Sequence, residues 1–188
     1  SNLQVLNLRA PGHGTVPGAL DKVGSDDFRA AYALAVRTLA QSLPEDKPLI
    51  LVGYSNGSTL AVDYTVRALA SPGKFRRPDL LILVSPAMRV SRLAALAWVQ
   101  KWMAELPGLE KLNWTDILPE YDPYKYNSFP LSAAQQIYHL TNSMQSALQK
   151  TSPELLAEFP PVLAFQSVVD ATIPPSNIVT RLLSSLPD

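Results

Sequence analysis

Hydrophobic positions along the chain follow two rhythms. Wholly apolar runs of four or five residues occur at Leu49-Ile50-Leu51-Val52, at Leu80–Val84 and at Val162–Phe165, each preceded by a proline or by Pro-Asp. Runs this short, with Pro and Gly at their borders, suit strands buried on both faces of a parallel sheet better than helices. Val5-Leu6-Asn7-Leu8 predicts one more strand, ending in the turn-rich Pro11-Gly12-His13-Gly14. Between these runs the period changes to that of a helix. Phe28, Ala31, Tyr32, Ala35 and Leu39 predict an amphipathic helix over roughly 26–42, closed by Pro44. Ser25 is its expected N-cap, with Asp26 and Asp27 at the positive end of the helix dipole. A second helix follows Gly57 and Ser58, carries Leu60, Ala61, Tyr64 and Ala68, and ends near Pro72-Gly73; a last one spans Ser176 to Leu186. Strand and helix in alternation predict a three-layer α/β/α fold around a mostly parallel sheet, with helices on both faces.

Between the second and third apolar runs lies a stretch of about 90–158 that exceeds what one crossover helix needs. Helical periodicity recurs in it around Leu93–Met103 and Ser132–Gln149, joined by the Pro- and Tyr-rich segment Leu118 to Pro130. The expected organisation is one domain, with a core of residues 1–89 and 159–188 and a helical cap insertion of about 90–158. Ordinary surface decoration is the alternative for that insertion.

Composition narrows the functional classes. The 188 residues carry 16 Lys+Arg against 16 Asp+Glu, so no general field attracts nucleic acid. Cysteine is absent, which excludes disulfides and cysteine-based zinc sites. No His/Asp/Glu cluster has metal-ligand spacing, and no cofactor is expected. No apolar stretch approaches the ~18 residues of a transmembrane helix. The chain opens with Ser1-Asn2, without a methionine start or signal peptide, so the compartment is unknown and cytoplasmic only by default.

Gly53-Tyr54-Ser55-Asn56-Gly57 fits G-x-S-x-G and sits where an apolar strand meets a helix. In a nucleophile elbow the serine occupies that sharp turn and the flanking glycines permit close approach. N–H groups of the first helical turn lack intrahelical partners, so the Asn56 N–H is the expected oxyanion donor. The competing reading makes Ser55 an ordinary turn or N-cap residue. A phosphate-binding loop is disfavoured, since neither G-x-x-x-x-G-K-[ST] nor a strand-following G-x-G-x-x-G occurs.

With these residues in hand the chain resembles the α/β-hydrolase superfamily, particularly its capped serine esterases, monoacylglycerol-lipase-like enzymes and related serine peptidases. The stretches that carry the resemblance are Leu8-Arg9-Ala10-Pro11-Gly12-His13-Gly14, Gly53-Tyr54-Ser55-Asn56-Gly57, Leu83-Val84-Ser85-Pro86-Ala87 and Ser167-Val168-Val169-Asp170. The resemblance implies Ser55 as nucleophile and Asp170 as acid, in the family's order along the chain, with His13 and Tyr54 at the cleft edge. It also implies a histidine after the acid, and none follows Asp170: the two histidines are His13 and His139. His13 resembles a loop residue of the family, and His139 falls in a helical stretch of the insertion. The strands and loops that normally supply the first oxyanion donor and the base would lie outside residues 1–188. The chain is therefore expected to be a core fragment, incomplete at both ends and weak or inactive alone; a degenerate family member is the alternative.

The implied activity is hydrolysis of carboxylic esters through an acyl-enzyme on Ser55. Trp98, Trp102, Trp114, Tyr121, Tyr124, Tyr126, Phe129 and Tyr138 concentrate in the insertion and point to lipid-like or aryl esters. A peptidase or amidase of the same superfamily and a non-catalytic interaction domain remain open. Unpaired sheet edges make a homodimer one further expectation.

Overall fold

The computed structural model describes residues 3–88, 114–119, 126–167 and 176–186. In chain order its elements are a 3-10 helix Pro17–Lys22, α1 Ser25–Ser42, β1 Ile50–Tyr54, α2 Asn56–Ala70, β2 Leu80–Val84, β3 Trp114–Asp116, β4 Phe129–Pro130, α3 Leu131–Lys150, α4 Pro153–Leu156, β5 Val162–Phe165, α5 Ser176–Arg181 and a 3-10 helix Leu183–Ser185. Two compact units result: Ser1–Asn7 with Tyr32–Arg89 and Leu140–Asp188, and Leu8–Ala31 with Val90–His139.

The first unit is built on a parallel sheet of order β1-β2-β5. Its register sets Leu51 beside Leu81 and Val162, and Tyr54 beside Val84 and Phe165, so all three strands end on one line. Asp79 fixes the start of that register. Its carboxylate accepts the Leu49 N–H at 2.7 Å while its own N–H donates to the Leu49 carbonyl at 2.8 Å. Alternation along the strands sends Leu51, Leu81 and Leu83 to one face. There they join Val36 of α1, Ala61, Val62 and Tyr64 of α2, Met144 and Leu148 of α3 and Ile178 of α5 in a single core.

Among the described residues the opposite face is largely exposed. Val52 is 65% exposed, Tyr54 72% and Phe165 54%. The runs read as strands covered on both sides are thus covered on one side among the described residues. Order explains it: β1, β2 and β5 are added in one direction, and right-handed crossovers then deliver their helices to the same face. The α/β class and the parallel sheet agree with the sequence reading; the strand expected at Val5-Leu6-Asn7-Leu8 does not form. A strand exists through its partner's hydrogen bonds, and no described strand lies beside this segment, which leaves Leu3 and Val5 exposed.

Helix boundaries moved little. Gly24, not Ser25, supplies the first carbonyl of α1, accepting from the Phe28 N–H at 3.3 Å, and the Asp27 carboxylate reaches back to the Gly24 N–H at 2.9 Å. Ser25 is already helical, and Gln136 takes its N–H at 2.9 Å. Past the other end of α1, the Arg76 guanidinium donates to the carbonyls of Leu43, Pro44 and Lys47. Among the described residues no helix is long and apolar enough to cross a membrane.

In the second unit β3 and β4 pair antiparallel with an irregularity between Trp114 and Asp116. Ser128 closes their loop by accepting the Leu118 N–H at 3.1 Å and donating to the Leu118 carbonyl at 2.9 Å.

Candidate active site

Ser55 stands between the last residue of β1 and the first of α2. Its backbone has φ +50° and ψ −116°, a combination that costs an L-residue free energy and clusters at functional turns. The competing N-cap reading required the hydroxyl to bond the helix's first turn, and it makes no such bond. The Ser55 side chain is therefore not consumed by capping. Its backbone is secured instead: the N–H donates to Val84 at 2.9 Å, and the carbonyl accepts from Ser58 at 3.0 Å and from Ala87 at 3.3 Å.

The glycines of the motif differ. A Cβ on Gly53 would lie 2.5 Å from the Ser58 Cα, so this position admits only glycine. Gly57 faces open space, with nothing within 4 Å of a Cβ. The Ser58 hydroxyl, fully buried, donates to the Gly53 carbonyl at 2.7 Å and fastens the strand end to the helix start.

Asn56 is the first residue of α2, so its N–H precedes the intrahelical ladder and lies immediately after the Ser55 turn. Its side-chain Oδ1 is buried without a hydrogen-bond partner among the described residues. Tyr54 ends β1 on the exposed face of the sheet. Asp170 lies outside the described residues. The strand that leads toward it, β5, ends in register with β1 two strand spacings away, about 10 Å. The carboxyl edge of a parallel sheet is where open α/β folds bind ligands.

His13 sits in the second unit. Its Nδ1 is 3.0 Å from the Pro11 carbonyl, which only accepts, so the proton is on Nδ1 and Nε2 carries the lone pair in the neutral ring. The ring stacks on Tyr126 at 6.1 Å and meets Phe28 edge-on at 6.3 Å. Tyr126 also pins the loop: its hydroxyl accepts the Thr15 N–H at 2.7 Å and donates to the Gly12 carbonyl at 3.1 Å. Gly12 itself has φ +75° and Gly14 φ +72°, conformations that favour glycine. His139 is an exposed residue of α3, edge-on to Tyr138 at 5.9 Å. Of the insertion aromatics, Trp98, Trp102, Tyr121 and Tyr124 lie outside the described residues.

Two features of the site were not anticipated from sequence. Ser85, at the end of β2, has φ +44°, and its N–H donates to the Phe165 carbonyl at 2.8 Å. Thr59, one turn into α2, donates its hydroxyl to the Ala87 carbonyl at 2.6 Å. A serine before a proline and a threonine in a helix are both common in sequence, and no local pattern announces either role.

Solved structures share this fold. A structure from work on LipS and LipT, two metagenome-derived lipolytic enzymes, superposes with a TM-score of 0.63 at 20% identity, over 95% of this chain and 65% of that one. The Paleococcus ferrophilus monoacylglycerol lipase superposes with a TM-score of 0.57 at 21% identity, over 94% of this chain and 66% of that one. At such identities the likeness is one of fold, and the chain spans just under two thirds of either structure. No curated protein sequence matches it. A family profile described as serine aminopeptidase, S33 does match, over residues 1–178, and the chain accordingly belongs to that family of the α/β-hydrolase superfamily.

Proposed function

We propose that residues 1–188 form the core of a serine hydrolase that cleaves carboxylic esters. One observation carries the reading: Ser55 holds φ +50° at a strand-to-helix turn while its hydroxyl caps nothing. In the proposed reaction the Ser55 oxygen attacks the ester carbonyl and its proton passes to a base. The carbonyl oxygen becomes an oxyanion opposite the Asn56 N–H, the alkoxide leaves with that proton, and water then cleaves the acyl-enzyme. Asp170 orients the base. On this reading the base is a histidine placed after the acid, and neither His13 nor His139 follows Asp170. The 188-residue chain is therefore weak or inactive by itself. Aromatic side chains of the insertion favour lipid-like or aryl esters. Substrates of the peptide or amide class are the second reading, favoured by the aminopeptidase description of the matched family.

Fluorophosphonate labelling followed by intact-mass analysis tests this. The natural full-length polypeptide labels at one site and Ser55→Ala abolishes it. The 188-residue chain labels slowly, and added imidazole, standing in for the absent base, accelerates labelling as pH rises and neutral imidazole replaces imidazolium. Folded protein that never labels in either form overturns the hydrolase reading in favour of a non-catalytic domain. Unaided labelling of the short chain, lost in His13→Ala or His139→Ala, relocates the base. Turnover of p-nitrophenyl esters against aminoacyl p-nitroanilides separates ester from amide chemistry.

A further inference from the structure

We infer that Thr59 is a positioning residue for Ser55, acting through Ala87. The inference rests on the nucleophile reading above and deepens it. Left-handed backbone at a β-carbon-bearing residue persists only where the surroundings over-determine it. At Ser55 the Val84 carbonyl, from the neighbouring strand β2, and the Ser58 N–H, from the helix that follows the turn, supply two restraints. The third, the Ala87 N–H on the Ser55 carbonyl at 3.3 Å, comes from the loop beyond β2, past the strand ladder, and needs a holder of its own.

Thr59 is that holder. Its hydroxyl donates to the Ala87 carbonyl at 2.6 Å, and the side chain is fully buried. Ala87 is thus gripped at both polar atoms, its N–H by Ser55 and its carbonyl by a residue one turn further along the same helix. Ser85 anchors the other end of this short segment, through its N–H on Phe165. The direction of the Thr59 bond is informative. A helical threonine ordinarily back-bonds to the carbonyl four residues earlier. Thr65 in the same helix does so, donating to Ala61 at 2.8 Å. For Thr59 that carbonyl belongs to Ser55. Its hydroxyl turns to Ala87 instead, and Ala87 in turn occupies the Ser55 carbonyl from outside the helix.

The test compares Thr59→Val, which keeps shape and loses the donor, with Thr59→Ser, which keeps the donor. Thr65→Val is the control, removing an equally buried hydroxyl from the same helix away from the turn. Fluorophosphonate labelling rates at Ser55 are read in the full-length polypeptide and in the 188-residue chain with imidazole. Hydrogen exchange of the Ala87 and Ser58 amides is read in the short chain. T59V is expected to slow labelling by about 10- to 100-fold, the scale of a misplaced reacting group, and to accelerate exchange at Ala87. T59S restores both, and T65V changes neither. Should T59V fail to fold, Thr59→Ala carries the same expectation. Wild-type labelling in T59V, or equal slowing in T65V, overturns the inference while leaving the nucleophile in place. A wild type that never labels at Ser55 removes the nucleophile itself, and the positioning role falls with it whatever the exchange data show.

Discussion

A Cβ built on Gly53 would stand 2.5 Å from the Ser58 Cα and 2.6 Å from both the Ser58 nitrogen and the Gly57 carbonyl oxygen. All three are backbone atoms of the turn, so no side chain can move aside to make room. Gly53→Ala should therefore cost about 1–3 kcal/mol, as overpacking does, and displace the start of α2. Gly57, in contrast, is a helical residue with open space where its Cβ would be. Gly57→Ala should be neutral or add roughly 0.5–1 kcal/mol, the usual gain of alanine over glycine inside a helix. Urea unfolding of the two variants checks both signs, and equal losses would mean that the second glycine is needed for the fold as well. A five-letter motif assigns these glycines one role, because letters carry no information about what lies beside each Cβ. The serine was legible from the motif in its strand-to-helix setting. Thr59 and Ser85 were not, since their partners, Ala87 and Phe165, are far along the chain and fixed only by the folded sheet.

Elements were legible where their hydrophobic pattern is decided by their own residues. The runs at 50–54, 80–84 and 162–165 are strands, and the periodic stretches at 25–42 and 131–150 are helices. Val5–Leu8 has the same apolar character, yet a ladder needs a neighbour and none is present among the described residues. The Ser25 cap slipped by one residue because the Asp27 and Phe28 N–H groups, which a Ser25 hydroxyl would have accepted, donate to the Gly24 carbonyl instead. Packing between α1 and α2 has a consequence in pH. Tyr32 and Tyr64 lie 6.0 Å apart, ring to ring. Burial pushes the Tyr32 hydroxyl well above its ordinary 10.0, and proximity to Tyr64 adds to it. Burial also raises Tyr64, partly offset by Arg67. Both pKa values are higher folded than unfolded, so this stabilisation is complete below about pH 10 and is lost as pH rises beyond it. Each tyrosine that ionises only in the unfolded chain steepens the loss by about 1.4 kcal/mol per pH unit. Tyr32→Phe should flatten the fall of the thermal midpoint between about pH 10 and 12; an unchanged slope would mean that Tyr32 ionises freely in the fold. Tyr64→Phe is the less clean variant, because it also loses the 3.0 Å bond to the Arg76 carbonyl.

Across the molecule, the direction in which the sheet grows decides what it leaves uncovered. Each crossover from β1 to β2 and from β2 to β5 steps the same way, and the core that results uses Leu51, Leu81 and Leu83 while leaving Ile50, Val52, Tyr54, Leu163 and Phe165 exposed. Helices reach the second face of a parallel sheet only when the winding reverses, and the described strands contain no reversal. Sequence could not foretell this, because an apolar run reads the same whether one face or both are covered. The matched chains, of which this one spans 65% and 66%, have the same fold over the shared part. An apolar sheet face open to water should bind a hydrophobic dye and favour self-association. The 188-residue chain is expected to enhance ANS fluorescence in its native state. Val52→Lys with Phe165→Lys should abolish the enhancement at little cost in stability, since neither side chain belongs to the core. Sedimentation velocity on the same pair separates two routes to a dimer. Loss of association in the lysine variant assigns it to the face, and persistence assigns it to the unpaired strand edges, where main-chain hydrogen bonds survive a change of side chain. Unchanged ANS binding in the lysine variant would mean that this face is covered in solution, and the one-directional winding would no longer account for the exposed strands.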